Sequence, residues 1–330
     1  MKIDAVITWV DGNDPAHKRK MAEYGNRTIF SQEDVASSAR YVQVGEIFWC
    51  VASINKFAPW INRIYIVTDG QDPHLIPFLE RHFPDGYIPV QVIDHREIFS
   101  GYEEFLPVFN SVSIETMTWR IAGLSEHYIE FNDDFMLAKE VKPEDFFDKQ
   151  GNPVIYADKY PTFLARLTRA LKRKKSDGKK KVTFKGLLLG ALDYTGGSPF
   201  FLHYKHTPRP LRRSFFEDFF GKNPDALTRN IQFRFRDPSQ FNPEEVQYLS
   251  LFKEGKCTRR PAGKNLYFIQ LRGSSEHVDK KIDALTEVDV PFCCFNSLDS
   301  VNPGQRKRMI SWMEDRIGIH DTAAENIAED

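Results

Sequence analysis

The first part of the chain alternates between short runs rich in β-branched and aromatic residues and stretches whose apolar residues have helical spacing. The strand-like runs are residues 4–10, 63–70, 87–95 and 126–134, and the helix-like stretches between them are 45–60, 72–83 and 111–123. Because this alternation is typical of β-α-β units, it predicts a mostly parallel sheet with helices packed on its faces. We therefore expect an α/β protein with a Rossmann-like core.

Each of the four predicted strands ends in a carboxylate side chain. The acids are Asp11, Asp69, Asp94 and the adjacent pair Asp133–Asp134. In open α/β sheets ligands bind outside the carboxyl ends of the strands, so these side chains are expected to share one edge. Aspartate is also a common turn and capping residue, which is an alternative explanation for Asp69 or Asp94 alone. The pair is more informative, because adjacent like charges beside apolar residues need a cation, hydrogen bonds or a proton.

The composition excludes several classes of protein. With 41% hydrophobic residues among 330 and a net charge of −1, the chain can bury a substantial core and has no strong signature of nucleic-acid binding. Its four cysteines form no Cys-x-x-Cys spacing, which favours a reducing, cytoplasmic location. Asp4 interrupts the first apolar run, and no run approaches the roughly 20 residues of a membrane span. We therefore expect neither a signal peptide nor a membrane-spanning helix.

The second half is less regular, and the sequence suggests three regions. They are a Rossmann-like core at 1–155, an inserted basic and helical segment at 156–230, and a remainder at 231–330 that ends in helices. Residues 166–185 hold ten lysines and arginines against one acid. Such a run is either a solvated loop or a surface that attracts a polyanion or an anionic membrane.

The Asn132–Asp133–Asp134 triplet is the first candidate for chemistry. Successive strand residues point to opposite faces, but at a strand end the chain turns and both carboxylates can converge on one site. Carboxylate oxygens are preferred ligands of Mg²⁺ and Mn²⁺, which would hold a pyrophosphate. The alternative is that one aspartate caps the following turn and the other is solvated.

The "WVDGNDP" stretch at 9–15 is a second candidate. Trp9 offers an aromatic face, Asp11 can accept hydrogen bonds from a nucleoside, and Gly12 allows close approach of the backbone. Read alone, the stretch also fits an ordinary turn.

Basic residues later in the chain can supply the complement to these acids. His206 and Arg209 lie in the proline-flanked "HTPRP", and Arg234 and Arg236 alternate with aromatics in "RFRD". That alternation predicts a strand with both arginines on one face, which would suit bidentate recognition of phosphate. A lone histidine is more often structural, so His206 carries two interpretations.

Several of these stretches occur together in one known family. "DAVITWVDGNDP", "APWINRIYIVTDGQ", "LPVFNSVSIE", "HYIEFNDDFML" and the later "HTPRP" and "RFR" resemble the Stealth proteins, hexose-1-phosphate transferases of bacterial capsule synthesis. The resemblance is dense over residues 3–145 and patchier beyond. The last block of the family usually reads Cys-x-Asn-Asp, whereas this chain has Cys294–Phe295–Asn296–Ser297. One carboxylate is therefore missing, and the amide oxygen of Asn296 or the carboxylate of Asp299 would take its place.

The resemblance implies transfer of a sugar 1-phosphate, typically N-acetylhexosamine 1-phosphate, from a UDP-sugar such as UDP-N-acetylglucosamine. The acceptor would be a hydroxyl of an anionic capsular polysaccharide, the product a phosphodiester, and UMP the leaving group. It also implies Mg²⁺ or Mn²⁺ as cofactor and work in the cytoplasm or at the inner face of its membrane, beside capsule-assembly proteins. Two other readings stay open: an ordinary UDP-sugar glycosyltransferase that releases UDP, and a non-catalytic module that binds polyanions.

Residue roles follow under this interpretation. The predicted catalytic residues are Asp134, His206, Arg209 and Arg234. The predicted substrate-binding residues are Trp9, Asp11, Gly12, Asp69, Asn110, Ser111, Glu115, Asn132 and Arg236. The predicted metal ligands are Asp133 and Asn296. Asp134 is the favoured general base, and His206 is the competing candidate.

Overall fold

The computed structural model describes residues 1–25, 44–175, 182–271 and 274–319. The strands are β1 (Ile3–Thr8), β2 (Ile64–Thr68), β3 (Val90–Asp94), β4 (His127–Asn132), β5 (Phe135–Leu137), β6 (Val154–Pro161), β7 (Phe200–Tyr204), β8 (Arg209–Arg212), β9 (Thr258–Arg260), β10 (Leu266–Gln270) and β11 (Phe292–Asn296). The helices are α1 (Pro15–Gly25), α2 (Glu46–Phe57), α3 (Leu75–His82), α4 (His95–Ile98), α5 (Ser111–Glu115), α6 (Thr162–Lys175), α7 (Phe184–Ala191), α8 (Arg213–Lys222), α9 (Pro224–Ile231), α10 (Pro243–Lys253), α11 (Ser275–Asp283) and α12 (Pro303–Ile317).

The main sheet has the strand order β3-β2-β1-β4-β8. Its first four strands are parallel, and β8 pairs antiparallel with β4. Two three-stranded sheets, β10-β11-β5 and β7-β6-β9, lie beside it. The prediction of an α/β protein with a mostly parallel, Rossmann-like sheet is confirmed.

The central strands β1, β2 and β4 of the main sheet are buried on both faces because they are apolar at most successive positions. In β1, Val6 packs into one hydrophobic cluster, while Ala5 and Ile7 pack into the cluster on the other face. Apolar residues of α2 and α3 cover the second face. Burial on both faces explains the nearly continuous β-branched runs of the sequence, since each face needs its own apolar set.

The order of the strands creates a crevice beside β1. From β1 the chain proceeds to β2 and β3 on one side, and then crosses to β4 on the other. The carboxyl ends of β1 and β4 are adjacent, with Thr8 paired to Asn132. Ligands of open α/β sheets bind at such a reversal of strand order, so the fold brings the segments after Thr8 and after Asn132 to a binding position.

Several segments differ from their predicted secondary structure or extend it. Strand β8 lies within 156–230 and forms the edge of the main sheet, so part of this segment completes that sheet. Residues 111–123 do not form one helix: α5 ends at Glu115, a short 3-10 turn follows at 118–120, and Gly123 adopts a positive φ of 81°. The expected strand around "RFRD" is irregular backbone.

The part of the basic run at 176–181 lies outside the described residues. Within the described ranges, no helix is long and apolar enough to cross a membrane.

Candidate active site

The carboxylate of Asp134 is held by one oxygen and leaves the other without a partner. Its Oδ2 accepts hydrogen bonds from Cys294 Sγ at 3.4 Å and from Asn296 Nδ2 at 3.3 Å. Strand β11 delivers both donors because it pairs antiparallel with β5, directly after the aspartate. Oδ1 is buried and has no hydrogen-bond partner among the residues that the structure describes. A fixed carboxylate with a free, desolvated oxygen is suited to accept a proton or to hold a cation.

His206 lies beside this carboxylate, in the turn between β7 and β8. Its ring stacks on Phe268, with centroids 4.4 Å apart and planes 6° from parallel, and meets the edge of Phe135 at 6.4 Å. Burial and, to a smaller extent, the charge of Arg209 lower the pKa of His206 below its ordinary value of 6.5, although Asp134 opposes the shift. The imidazole is therefore mostly neutral at pH 7 and able to accept a proton.

We expect Phe268→Leu to lower turnover by up to about tenfold, since a stacked aromatic pair contributes roughly 0.5–1.5 kcal/mol. Loss of the ring would also expose His206 to water, raise its pKa and move the acidic limb of the pH–rate profile to higher pH. Phe268→Tyr should retain the wild-type profile. The matched control is Phe184→Leu, because that exposed ring contacts His203 instead. An unchanged pH profile in Phe268→Leu would show that the stack does not tune His206.

Arg209 occupies the centre of a buried cluster of acids. Its Nε lies 3.2 Å from Glu244 Oε1 and 3.7 Å from Glu130 Oε2, and its Nη2 lies 3.4 Å from Glu115 Oε1. Nη2 also donates a hydrogen bond to Asn132 Oδ1 at 3.1 Å. The structure thus gives the guanidinium three carboxylates and an amide as partners, and the role of Arg209 in stabilising phosphate charge stays a prediction. The guanidinium holds Glu115 and Asn132 at the end of β4.

One arginine cannot balance three ionised glutamates, and the pKa values reflect this. Burial and the nearby Glu244 raise the pKa of Glu130 well above its ordinary value, against the attraction of Arg209. Thr118 Oγ1 donates a hydrogen bond to Glu130 Oε1 at 2.6 Å. Burial and Glu244 also raise the pKa of Glu115 to about 7, against the attraction of Arg209 and Arg236. Glu115 therefore changes its charge near physiological pH.

This shift predicts a pH-dependent stability. The pKa of Glu115 rises from its ordinary value of 4.5 to about 7 on folding. The folded state thus binds more protons than the unfolded state between these values, and the free energy of unfolding falls as pH rises through this window. From pH 4.5 to 8, wild type should lose roughly 3 kcal/mol relative to Glu115→Gln. Urea unfolding at several pH values measures this difference, and parallel curves would contradict it. Other titrating groups cancel because both proteins share them.

The other side of the crevice, across from Asp134 and His206, is formed by residues after the carboxyl ends of β1 and β2. Asp11 accepts a hydrogen bond from Asn13 N at 2.8 Å, and Gln71 bonds to its backbone on both sides, at 2.9 and 3.0 Å. Lys20 Nζ donates to Asp69 Oδ2 at 3.0 Å, and His17 Nδ1 lies 3.8 Å away. Burial opposes ionisation of Asp69, but the nearby His17 ring and the hydrogen bond from Lys20 outweigh it and lower its pKa to about 2. Asp69 is therefore a permanent anion.

Trp9 and Gly12 follow β1 on the same side of the crevice. Trp9 is partly buried, and its Nε1 is a buried donor with no hydrogen-bond partner in the described structure. Gly12 is buried and has no positive φ, so the backbone conformation does not require glycine. What glycine would provide here is space, because it has no side chain. Asp94, in contrast, caps α4 by accepting from Arg96 N at 2.8 Å, which is the structural explanation for an acid at the end of β3.

Asn110 and Ser111, at the start of α5, have different surroundings: the first is buried and the second is partly exposed. Asn110 is buried; its Oδ1 accepts from Val112 N at 3.1 Å, and its Nδ2 donates to Gln240 Oε1 at 2.8 Å. Its amide thus joins α5 to the loop after α9, and its role in substrate binding stays a prediction. Ser111 is partly exposed, and its Oγ accepts from Arg236 Nη2 at 2.5 Å.

Arg234 and Arg236 do not act as a pair. Arg234 Nη2 donates to the carbonyl oxygens of Glu104 and Leu106 at 3.2 and 3.1 Å, and its guanidinium lies over the ring of Tyr24. Arg234 thus anchors this loop, and its predicted catalytic role stays a prediction. Arg236 reaches Ser111 and stabilises the charged form of Glu115, so it lies next to the cluster of acids.

The described residues contain no cluster of three or more His, Cys, Asp and Glu side chains arranged to hold a metal ion. The oxygen atoms around the Asp133–Asp134 pair nevertheless suit a hard cation. They belong to Asp133, to Oδ1 of Asp134 and to the amide of Asn296, whose Oδ1 accepts a hydrogen bond from Ser297 Oγ at 3.1 Å. Burial and then Asp133 raise the pKa of Glu46 to about 8. Negative potential thus concentrates where a Mg²⁺ would be held, and this ion commonly completes its shell with water and phosphate.

Sequence reasoning missed several residues of this site. They are Glu130, Glu244, Gln71, Phe268 and Cys294, each of which directly contacts a predicted residue. An acid in the middle of the apolar run "HYIEFN" was a usable signal for Glu130, since a charged residue inside a doubly buried strand requires a partner.

Comparison with known proteins adds a family match. Two family models fit: Stealth protein CR1, conserved region 1, over residues 1–28, and Stealth protein CR2, conserved region 2, over residues 40–155. The capsular polysaccharide phosphotransferase WcwK of Streptococcus pneumoniae is 33% identical over 263 residues, covering 73% of this chain and 75% of that protein. An exopolysaccharide phosphotransferase of Streptomyces coelicolor is 33% identical over 256 residues, or 77% of this chain and 41% of the relative. The chain thus spans less than half the length of that relative.

Among solved structures, the galactosyltransferase LgtC in complex with donor and acceptor sugar analogs matches 98% of this chain and 99% of its own. The identity is 11% and the TM-score 0.49. At this identity and TM-score, the similarity assigns no role to any residue of the site.

Proposed function

Because the chain belongs to the Stealth family, we propose that it transfers a sugar 1-phosphate from a UDP-sugar to a hydroxyl of a polysaccharide acceptor. The donor sugar is proposed to be an N-acetylhexosamine, the acceptor an anionic capsular polymer, and the leaving group UMP. The observation that supports this most is the free carboxylate oxygen of Asp134 beside a mostly neutral His206, at the crevice between β1 and β4. Two proton acceptors at a nucleotide-binding edge suit activation of an acceptor hydroxyl.

In the proposed reaction the acceptor oxygen attacks the sugar-bearing phosphorus of the diphosphate. The bond from that phosphorus to the acceptor forms, the phosphorus–oxygen bond to UMP breaks, and the hydroxyl proton passes to Asp134 or His206. The bond between sugar and phosphate oxygen is untouched, so the anomeric configuration is retained. Such a step depends on in-line positioning and on neutralising the charge of the transferred group.

Other residues around the crevice are proposed to bind the UDP-sugar donor and the acceptor. Trp9, Asp11 and Asp69, at the ends of β1 and β2, are proposed to hold the nucleoside, with Trp9 Nε1 as a desolvated donor in need of an acceptor. Arg236 and Ser111 are proposed to contact phosphate, since both are partly exposed and Arg236 Nη2 donates a hydrogen bond to Ser111 Oγ. Glu115 and Asn132, fixed by Arg209, are proposed to orient hydroxyl groups of the sugar or the acceptor.

A divalent cation, Mg²⁺ or Mn²⁺, fits this proposal. Asp133, Asp134 Oδ1 and Asn296 would hold it, and it would neutralise phosphate charge when bound. The four cysteines are all free and buried, which supports the proposed cytoplasmic location.

Product analysis tests the proposal. The chain would be incubated with several UDP-sugars, Mg²⁺ and a defined short oligosaccharide, and the nucleotides would be separated. The expected products are UMP and a phosphodiester-linked sugar. UDP without UMP would identify a glycosyltransferase and overturn the proposal. Binding of capsular polymer without turnover of any UDP-sugar would identify a non-catalytic module, with Asp134→Asn then leaving that binding intact.

A further inference from the structure

Helix α6 begins with apolar side chains that the rest of the protein does not cover. Phe163 is 67% exposed, Leu167 55% and Leu164 39%, whereas Ala165 is buried at 4%. Residues four apart lie above one another on a helix, so Phe163 and Leu167 share one outward face with Leu164 at its side. The helix therefore packs through Ala165 and presents an apolar stripe outward.

This stripe is unusual within the described structure. Eight large hydrophobic side chains are exposed there, and three of them fall within these five positions of α6. A fourth, Phe184, opens α7, where Lys185 Nζ lies 4.0 Å from the ring of Tyr160, just before α6. Clustered exposed apolar side chains mark an interaction surface, whereas scattered ones need no explanation.

The charged residues of the same helix are all positive. Between Thr162 and Lys175 the sequence has six lysines and arginines and no acid. Arg166, between the exposed apolar residues, is itself exposed. An apolar stripe combined with a cationic remainder is typical of helices that lie in the interface of an anionic bilayer.

We propose that α6 docks this protein on an anionic membrane surface, with Phe163, Leu164 and Leu167 inserted among the lipids and Arg166 against their headgroups. The apolar stripe distinguishes this occupant from a soluble polyanion, which would neutralise the cations but leave Phe163 and Leu167 in water. A bilayer interface satisfies both features of the helix. The inference does not depend on the proposed reaction.

Sedimentation of the full chain with lipid vesicles tests the proposal. Binding is expected to vesicles that contain phosphatidylglycerol and to be much weaker with phosphatidylcholine alone. Phe163→Ser/Leu167→Ser should weaken binding to the anionic vesicles by about tenfold or more, because two apolar side chains no longer enter the lipid. Arg166→Gln should weaken it less and flatten its dependence on salt. The matched control is Ile76→Ser, an equally simple change at an exposed apolar residue of α3, which should bind like wild type.

Two results would overturn the proposal: no binding of wild type to the anionic vesicles, or equal binding by wild type and Phe163→Ser/Leu167→Ser. Binding to soluble heparin that survives the double substitution, without vesicle binding, would assign the helix to a soluble polyanion instead. All substituted side chains are exposed, so circular dichroism should be unchanged. Turnover on a short soluble acceptor should also be unchanged, which separates this test from that of the reaction.

Discussion

Asp134→Asn is expected to lower turnover about a thousandfold, the middle of the range for removing a general base. The asparagine keeps the size of the side chain but loses the basic oxygen that now stands free at Oδ1. Donors from Cys294 and Asn296 hold the other oxygen, so the substituted residue should remain in place. The measurement is kcat for release of the nucleotide with a short acceptor, together with an unfolding curve to confirm the fold.

The matched control is Asp218→Asn, an exposed acid of α8 whose carboxylate pairs with Lys222 one turn further along the same helix, at 2.7 Å. It should keep turnover close to wild type. Asp133→Asn, tested separately, should weaken the dependence on Mg²⁺ more than it alters the proton-transfer step. If Asp134→Asn retains most of its activity while His206→Gln loses it, the base is the histidine.

Arg209→Met is expected to destabilise the fold by about 3–5 kcal/mol, the usual effect of removing one partner from a buried ion pair. Methionine fills much of the volume, but Glu115, Glu130 and Glu244 would lose the cation that they share. Urea unfolding at pH 7 gives the change in free energy. The loss should be smaller at pH 5, because protonated carboxyl groups need no cation.

Arg212→Met provides a control on the same strand. Arg212 pairs with Glu126 at 3.1 Å, but both side chains are 31% exposed, and such pairs contribute about 0–1 kcal/mol. Equal losses for the two substitutions would mean that the buried cluster adds nothing beyond an ordinary surface pair. Loss of activity without loss of stability in Arg209→Met would instead place the guanidinium on the substrate.

The strands that carry the crevice could be predicted from the sequence, because their order along the chain and their β-branched runs are local properties. β1, β2 and β4 begin and end within a few residues of the expected positions. The acids that follow these strands were therefore found as well. Asp94 shows the limit of that reasoning, since an acid at a strand end is equally able to cap a helix.

The partners of these residues could not be predicted, because pairing across the sheet depends on segments far apart in the chain. Arg209 is basic and follows a histidine, which suggested a phosphate contact. Only the antiparallel register of β8 reveals that it faces Glu130. Glu244 comes from the first turn of α10, where an acid is ordinary by itself. The strand predicted around Arg234 and Arg236 was wrong because alternation with aromatics also occurs in irregular backbone.

The antiparallel strand β8 at the edge of the main sheet has a consequence for biosynthesis. Arg209 follows its partner Asn132 by 77 residues, so the edge of β4 leaves the ribosome well before its partner strand does. At 5–20 residues per second this delay lasts roughly 4 to 15 s, during which β4 presents unpaired backbone groups. An open strand edge is a template for association between nascent chains. A truncated chain ending near residue 155 would keep that edge open permanently, and we expect it to aggregate although it contains both regions matched by the family models.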